Sequence, residues 1–242
     1  MSTQRIRPTK SPATWVFVAC LLPVLALGLL SGTSGAAGAS TASKVAQAKK
    51  GLFVLSNMPK GWKQEKGSTV TEGSNNNFPG SSQLAHCIGV PVSLIKANPP
   101  SATSPYYENQ SETQEVQNNV TIFPSTSNAR ANYAAMANPK TPSCLVPIFQ
   151  ADFKKQFANS GEGTSAGTVT VTALAPAEFP KGTVGFTVNL PVTEKGVVVS
   201  SHFTSVFSIH GTVGQEIDLN GYGSTFPKAL AAHLVSVAIT LP

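Results

Sequence analysis

The sequence predicts an α+β fold, an antiparallel β-sheet covered by helices, and two observations carry that expectation. Between residues 169 and 219 apolar side chains recur at every second position, the period of strands with one buried face. Around residues 84–91, 145–157 and 226–237 they recur at three and four, the period of a helix. Strands and helices therefore come in separate runs, with turn signals short enough for hairpins between the strands, which points away from parallel βαβ units.

The chain opens with Arg5, Arg7 and Lys10, an apolar run over 15–30, and a Ser/Gly/Ala-rich tail, the order of an export signal. As a helix the run would reach about 24 Å against about 30 Å of hydrocarbon, and Pro23 interrupts it. Ala37-Gly38-Ala39 offers a cleavage site. The basic residues before the run would equally hold an uncleaved helix with its N-terminus inside. Residues 1–39 are thus a signal peptide or an N-terminal membrane anchor, which would supply membrane contact if retained. Residues 40–53, small, polar and lysine-bearing, are expected to be a flexible linker. Residues 54–242 are expected to form one extracytoplasmic domain.

Within that domain Pro59-Lys60-Gly61-Trp62 reads as a turn into a short extended segment ending near Val70, followed by a loop over 72–80. Ser81 or Ser82 can cap a helix whose apolar positions Leu84, Cys87, Ile88 and Pro91 follow helical spacing, with Pro91 ending it. After Asn98-Pro99-Pro100, Tyr106 and Tyr107 begin extended structure. Val116, Asn118, Val120 and Ile122 then alternate with Gln117, Asn119 and Thr121, as in a half-buried strand. Ser125 or Thr126 caps a helix carrying Ala129, Tyr133 and Met136, which Asn138-Pro139 stops. Thr141-Pro142 starts another, with proline in the first turn where its missing N–H costs little, and Leu145, Ile148, Phe149, Phe153 and Phe157 on its face.

The strands follow. Val169, Val171 and Ala173 mark one; Val184, Phe186, Val188 and Leu190 the next; Val199, Phe203, Phe207 and Ile209 a longer one; Val213, Ile217 and Leu219 the last. Gly182, Lys195-Gly196 and His210-Gly211 supply the turns. Ser224 or Thr225 caps a closing helix with Phe226, Leu230, Leu234 and Val237 on its buried stripe.

Lys and Arg number 17 against 11 Asp and Glu, a net charge of +6. Half of that excess is Arg5, Arg7 and Lys10. What remains is thinly spread, with a loose series Lys44, Lys49, Lys50, Lys60, Lys63 and Lys66 suited to a solvated linker or an anionic surface. A nucleic-acid partner needs a denser basic stripe with stacking aromatics, which this sequence lacks. Cys87 and Cys144 are the cysteines that follow the export segment, and in an oxidising compartment an even count reads as a disulfide. The alternative, a nucleophilic Cys87 activated by His86, is disfavoured because adjacent helical residues point about 100° apart.

The Pro-x-Gly-Trp opening over 59–62, the helix bearing Cys87, the later helix with Cys144 in its first turn, and a strand meander closed by an amphipathic helix resemble actinobacterial exported envelope proteins. These include small cell-wall lipoproteins and the extracellular sensor domains of membrane Ser/Thr kinases, similar in architecture to the PsbP-like fold. The resemblance implies an envelope-facing, non-catalytic module with an unidentified ligand or protein partner. The chain departs from that pattern in having no lipobox and only one possible disulfide.

Motifs for other chemistries fall short. Ser93-Leu94-Ile95-Lys96 matches S-x-x-K without the accompanying S-D-N and K-T-G strings. Gly161, Gly163 and Gly167 follow a helix and are too widely spaced for a dinucleotide fingerprint. Asp218-Leu219-Asn220-Gly221 lacks the later glutamate of a calcium loop and reads as a strand-end turn. His202 and His210 lie eight residues apart on one strand, about 26 Å, too far for a shared ion. No catalytic set, metal site or cofactor is expected. A non-enzymatic, sensor-like binding module is the expected function, against a secreted cell-wall enzyme or an adhesive surface protein. Trp62, Tyr106, Tyr107 and Tyr222, all near turns or strand ends, are the candidate ligand-binding residues.

Overall fold

The computed structural model describes residues 40–73, 80–158, 164–175 and 177–241, so the export segment and most of the asparagine-rich loop lie outside the described residues. Its centre is four long antiparallel strands, β5 (Gln114–Ile122), β8 (Thr183–Glu194), β9 (Val197–His210) and β10 (Val213–Tyr222), in the order β5-β10-β9-β8. The last three form a meander through hairpins whose turns contain Lys195-Gly196 and Gly211, as the turn residues predict. Short strands complete each side. β3 (Ser101–Thr103) and β4 (Tyr107–Glu108) share the outer edge of β5, with β2 (Thr71–Gly73) beside β3 and β1 (Lys63–Gln64) beside β4. β6 (Thr164–Ala166) and β7 (Thr170–Ala173) share the outer edge of β8. Every pairing is antiparallel, and the α+β architecture is the one the two periodicities predict.

Helices cover both faces. On one, α6 (Lys228–Thr240) lays Leu234, Val235 and Ala238 over Val116, Val206, Ile217 and Leu219. On the other, α2 (Ser81–Ile88), α3 (Val92–Ile95) and α5 (Thr141–Phe157) pack over β8 and β9, where Leu84, Ile88, Leu145, Ile148 and Phe153 meet Phe186, Val188 and Leu190. Helix α4 (Thr126–Met136) begins where the sequence places its cap, with Ser125 Oγ accepting the Asn128 N–H, and it lies against β8, β9 and β10. Pro142 falls in the first turn of α5 as predicted. Helix α2 ends at Gly89, whose φ of 77° is the left-handed conformation that terminates helices, two residues ahead of the proline expected to stop it. Cys87 of α2 and Cys144 of α5 are bonded, their Cα atoms 5.9 Å apart, so the disulfide joins helix to helix over the sheet.

The linker expected over 40–53 is instead part of the fold. Residues 41–50 form α1 (Thr41–Lys50), with Ser40 Oγ accepting the Ser43 N–H at its start. Ala48, Leu52 and Phe53 are buried, Ala48 and Leu52 against Ala102, Val120 and Ile122. Small, polar composition misleads here because α1 needs only Ala48 to reach the sheet. The residues that anchor it, Leu52 and Phe53, come after it in the chain. The basic series is correspondingly less free than a solvated linker implies: Lys49 pairs with Glu72, and Lys63 with Glu112 at 2.9 Å and Glu108 at 3.3 Å.

Asn118 fastens this segment. It is fully buried on the face where the strand period calls for an apolar residue, and its Oδ1 accepts the Phe53 N–H at 2.8 Å. Its Nδ2 donates to the Gly51 carbonyl at 2.9 Å and to Gln215 Oε1 at 3.2 Å. Asn118→Ala removes all of these at once and leaves buried backbone groups unpaired, so a loss on the order of 3 kcal/mol is expected. Urea denaturation measures it, and a loss under about 1 kcal/mol would show that the segment over 51–53 is held by its apolar contacts alone.

Candidate functional site

The central pair β5–β10 is buried on both faces, and this is where the chain departs most from its sequence pattern. The half-buried strand expected over 116–122 has Gln117 and Thr121 buried as well as Val116, Val120 and Ile122. On the face shared with the disulfide-linked helices, β5 presents Glu115, Gln117 and Asn119, and β10 presents Asn220, Asp218 and Glu216 directly opposite them. Neighbouring β9 adds Phe203, Ser205 and Phe207, opposite Asn220, Asp218 and Glu216 respectively. Asp218 and Asn220, expected in a turn, thus sit within a strand at the middle of the sheet.

The hydrogen bonds of this row are built from neighbours in register. Tyr222 donates its hydroxyl to Glu115 Oε2 at 2.7 Å, and the Asn220 side chain also bonds to Glu115. Ser205 Oγ donates to Asp218 Oδ1 at 2.7 Å, and Gln117 Nε2 to the Ser104 carbonyl at 2.9 Å. The Asn220 Oδ1, in a side chain 3% exposed, has no partner. None of the ion pairs among the described residues involves Glu115, Glu216 or Asp218.

Carboxylates buried without a cation hold their protons more tightly. Burial pushes Glu115 up to about 7 against the Tyr222 and Asn220 hydrogen bonds, with the charges of Glu65 and Glu108 adding to the rise. Burial raises Asp218 to about 6, opposed by the Ser205 hydroxyl. Glu216 is pushed well above the usual range by burial and then by the charge of Asp218. Tyr106, 3% exposed, lies close enough to feel Asp218, Glu115, Glu65 and Glu216, and burial together with those charges holds its hydroxyl protonated far above its ordinary range.

At the Glu216 end the row opens into a shallow recess of about 50 Å³ between the sheet and α4, continuous with solvent. Asn119, Phe207 and Glu216 line its sheet side and Asn132, Tyr133 and Met136 its helix side. Gly214 allows the recess to close at one end, since a Cβ there would lie 2.7 Å from Phe123 Cε2. Among the described residues no three His, Cys, Asp or Glu side chains converge in a way that could hold a metal ion. The row can accept hydrogen bonds, and the recess leaves its Glu216 end open to solvent.

Of the aromatic residues singled out from sequence, Tyr106 and Tyr222 are brought together around Glu115. Tyr107 is on the opposite face, buried, its hydroxyl donating to the Phe53 carbonyl. Trp62 is half-buried on that same far side, its ring 6.1 Å from Phe226. Glu115 and Glu216 carry no motif in the sequence, and Asp218 and Asn220, which read there as part of a strand-end turn, belong to the same buried row. Their signal is the density of carboxyl and amide groups in Gln215-Glu216-Ile217-Asp218-Leu219-Asn220, unusual for a central strand.

No protein-family model matches the chain, and no curated protein sequence is similar to it. Among solved structures it is similar to the extracellular domain of PknH from Mycobacterium tuberculosis, at 13% identity and a TM-score of 0.37 over 80% of this chain and 95% of that one. A likeness at that level says nothing about ligand or activity.

Proposed function

We propose that the chain is an exported, non-enzymatic, sensor-like module that takes up a small ligand in the recess between α4 and the sheet. The observation that carries this reading is the recess itself, open to solvent and floored by Glu216 at one end of a row of polar groups within the sheet. A concave surface that joins aromatic and polar side chains is the ordinary setting of a small-ligand site. Export is supported by the order of charged, apolar and small residues over 1–39 and by the Cys87–Cys144 bond, a feature of oxidising compartments. Among the described residues no helix is long and apolar enough to cross a membrane, so anchoring would fall to the N-terminal segment.

The test is a thermal-shift measurement on the purified exported protein with small-molecule extracts of the envelope. A fraction that raises the melting temperature of the wild type is expected to lose its effect on Asn132→Trp, which fills the recess from its helix side. A stabilising fraction that acts equally on both proteins would place binding elsewhere, and no stabilising fraction at all would remove the ligand-binding reading.

A further inference from the structure

We propose that the Cys87–Cys144 bond is made and unmade from one side: Cys87 is the sulfur that exchanges with a thiol or disulfide partner, and Cys144 is the resolving cysteine that acts from inside the fold. The chain thereby carries a site of reversible S-thiolation on α2.

Burial divides the two cysteines. Cys87 is exposed on α2, whereas Cys144 is 3% exposed and belongs to the cluster formed with Leu84, Ala85, Leu145 and Ile148. Thiol–disulfide exchange is a displacement at one sulfur, so its rate at each sulfur depends on whether a thiolate can reach it. An incoming sulfur reaches Cys87 from solvent and would have to cross the core to reach Cys144. Around Cys87 there is room for an adduct: Gln83, His86 and Gly89 are exposed, α2 carries no acidic side chain, and a Cβ on Gly89 would meet nothing within 4 Å. The two helices differ as well. Helix α5 runs for 17 residues and is seated by Leu145, Ile148, Phe153 and Phe157, so Cys144 keeps its place when the bond opens. Helix α2 is eight residues long and needs its tertiary contacts to persist, so Cys87 gains the freedom to carry an adduct outward. Cys144 also lies in the first turn of α5, which has no acidic side chain, and the partial positive charge there suits a departing thiolate.

In the opening direction a thiolate R–S⁻ attacks Cys87 Sγ, the S–S bond breaks, and its electron pair leaves on Cys144 Sγ. The product is R–S–S–Cys87 beside a Cys144 thiolate. A second thiolate removes R as the disulfide R–S–S–R, and two protons complete the Cys87 and Cys144 thiols. Closure is the reverse: the Cys87 thiolate attacks R–S–S–R, one R–S⁻ departs, and the Cys144 thiolate displaces the other from Cys87. Which sulfur reacts is independent of how much stability the closed bond confers.

The experiment treats the purified exported protein, without denaturant, with glutathione in one arm and in another with a thioredoxin whose resolving cysteine is replaced by serine. In a third arm the protein with its bond already reduced receives oxidised glutathione. Free thiols are alkylated at successive times and the adducts are located by peptide mass spectrometry. Adducts on Cys87 are expected to exceed those on Cys144 by about ten-fold or more, with Cys144 alkylated beside them. In the third arm the Cys87 adduct should disappear as the bond closes. Cys144→Ser is expected to retain the glutathione adduct on Cys87 that the wild type resolves, and the wild-type measurements decide the matter on their own if that variant does not fold. Adducts from glutathione, from thioredoxin or from both support Cys87 as the site, and the arm that reacts names a small thiol or a dithiol protein as the exchange partner. Adducts spread equally over both cysteines, or favouring Cys144, overturn the proposal. So does the absence of any adduct, or exchange that begins only where urea unfolds the whole domain, since both sulfurs are then equally open.

Discussion

Glu115→Gln is expected to stabilise the protein at pH 8 by on the order of 3 kcal/mol and to leave it nearly unchanged at pH 4. The reason is the position of Glu115 in the row. It is 5% exposed, opposite Asn220 across the β5–β10 pairing and opposite Glu108 across β4–β5, and burial lifts its pKa from 4.5 to about 7. A carboxyl whose folded-state pKa exceeds its unfolded value binds its proton more tightly in the folded protein. Its contribution to stability is therefore complete below about 4.5 and is lost as the pH rises through about 7. Asp218, lifted from 3.8 to about 6, acts in the same direction over a lower window, and Glu216 shares the sign. The wild type should accordingly be most stable in mild acid and weaken towards pH 8, the reverse of a protein whose carboxylates are held ionised by salt bridges. Glutamine reproduces the neutral acid, keeping an oxygen for the Tyr222 hydroxyl and carrying no charge to desolvate. Urea denaturation at pH 4, 6 and 8 measures the effect. A glutamine variant less stable than wild type at pH 8 would mean that Glu115 is ionised and well paired in the folded state.

The same residues show where sequence reasoning stops. The helices at 81–88, 126–136 and 141–157 and the meander of β8, β9 and β10 are legible because each element buries one face, and one buried face prints a period on the sequence. Strands β5 and β10 bury two. Their second face carries Glu115, Gln117, Asp218 and Asn220, and polar residues alternating with apolar ones look like a solvated face whether or not something lies over them. What lies over them comes from elsewhere in the chain: Tyr106 from the segment before β4, Phe203 and Phe207 from β9, and α4 at the open end. Of the four aromatic candidates, Tyr106 and Tyr222 reach the polar row and Tyr107 and Trp62 do not. Tyr106 and Tyr107 are adjacent in a strand-like segment and necessarily point to opposite faces, a distinction available from period alone. Asn118 misleads in the other direction. It occupies an apolar-period position and is buried as expected, yet its task is to hold the backbone of residues 51 and 53, which composition assigns to a linker.

Replacing both cysteines, Cys87→Ala with Cys144→Ala, is expected to cost roughly 4 kcal/mol, the loop-closure value for a bond that spans 57 residues. That is a large part of the net stability of a domain of this size. The loss should be uneven across the fold. Helix α2 is eight residues long, too short to persist without tertiary contacts, and its Leu84, Ala85 and Ile88 are its apolar residues in the core. It packs on α5, which the bond fixes, and on α3, and α3 in turn touches α4. The pairing of β9 with β10 runs over ten residue pairs and does not depend on the bond. Hydrogen exchange on the double variant, and on wild type treated with a thiol reductant, should therefore show protection falling first in α2 and α3 and last in β9 and β10. Since α3 touches α4, which forms the helix side of the recess, the loss of protection should extend to that wall as well. Uniform loss of protection would mean that the helices and sheet unfold as one unit, and a cost below about 1 kcal/mol would mean that the contacts between α2 and α5 hold the helices in place without the covalent link.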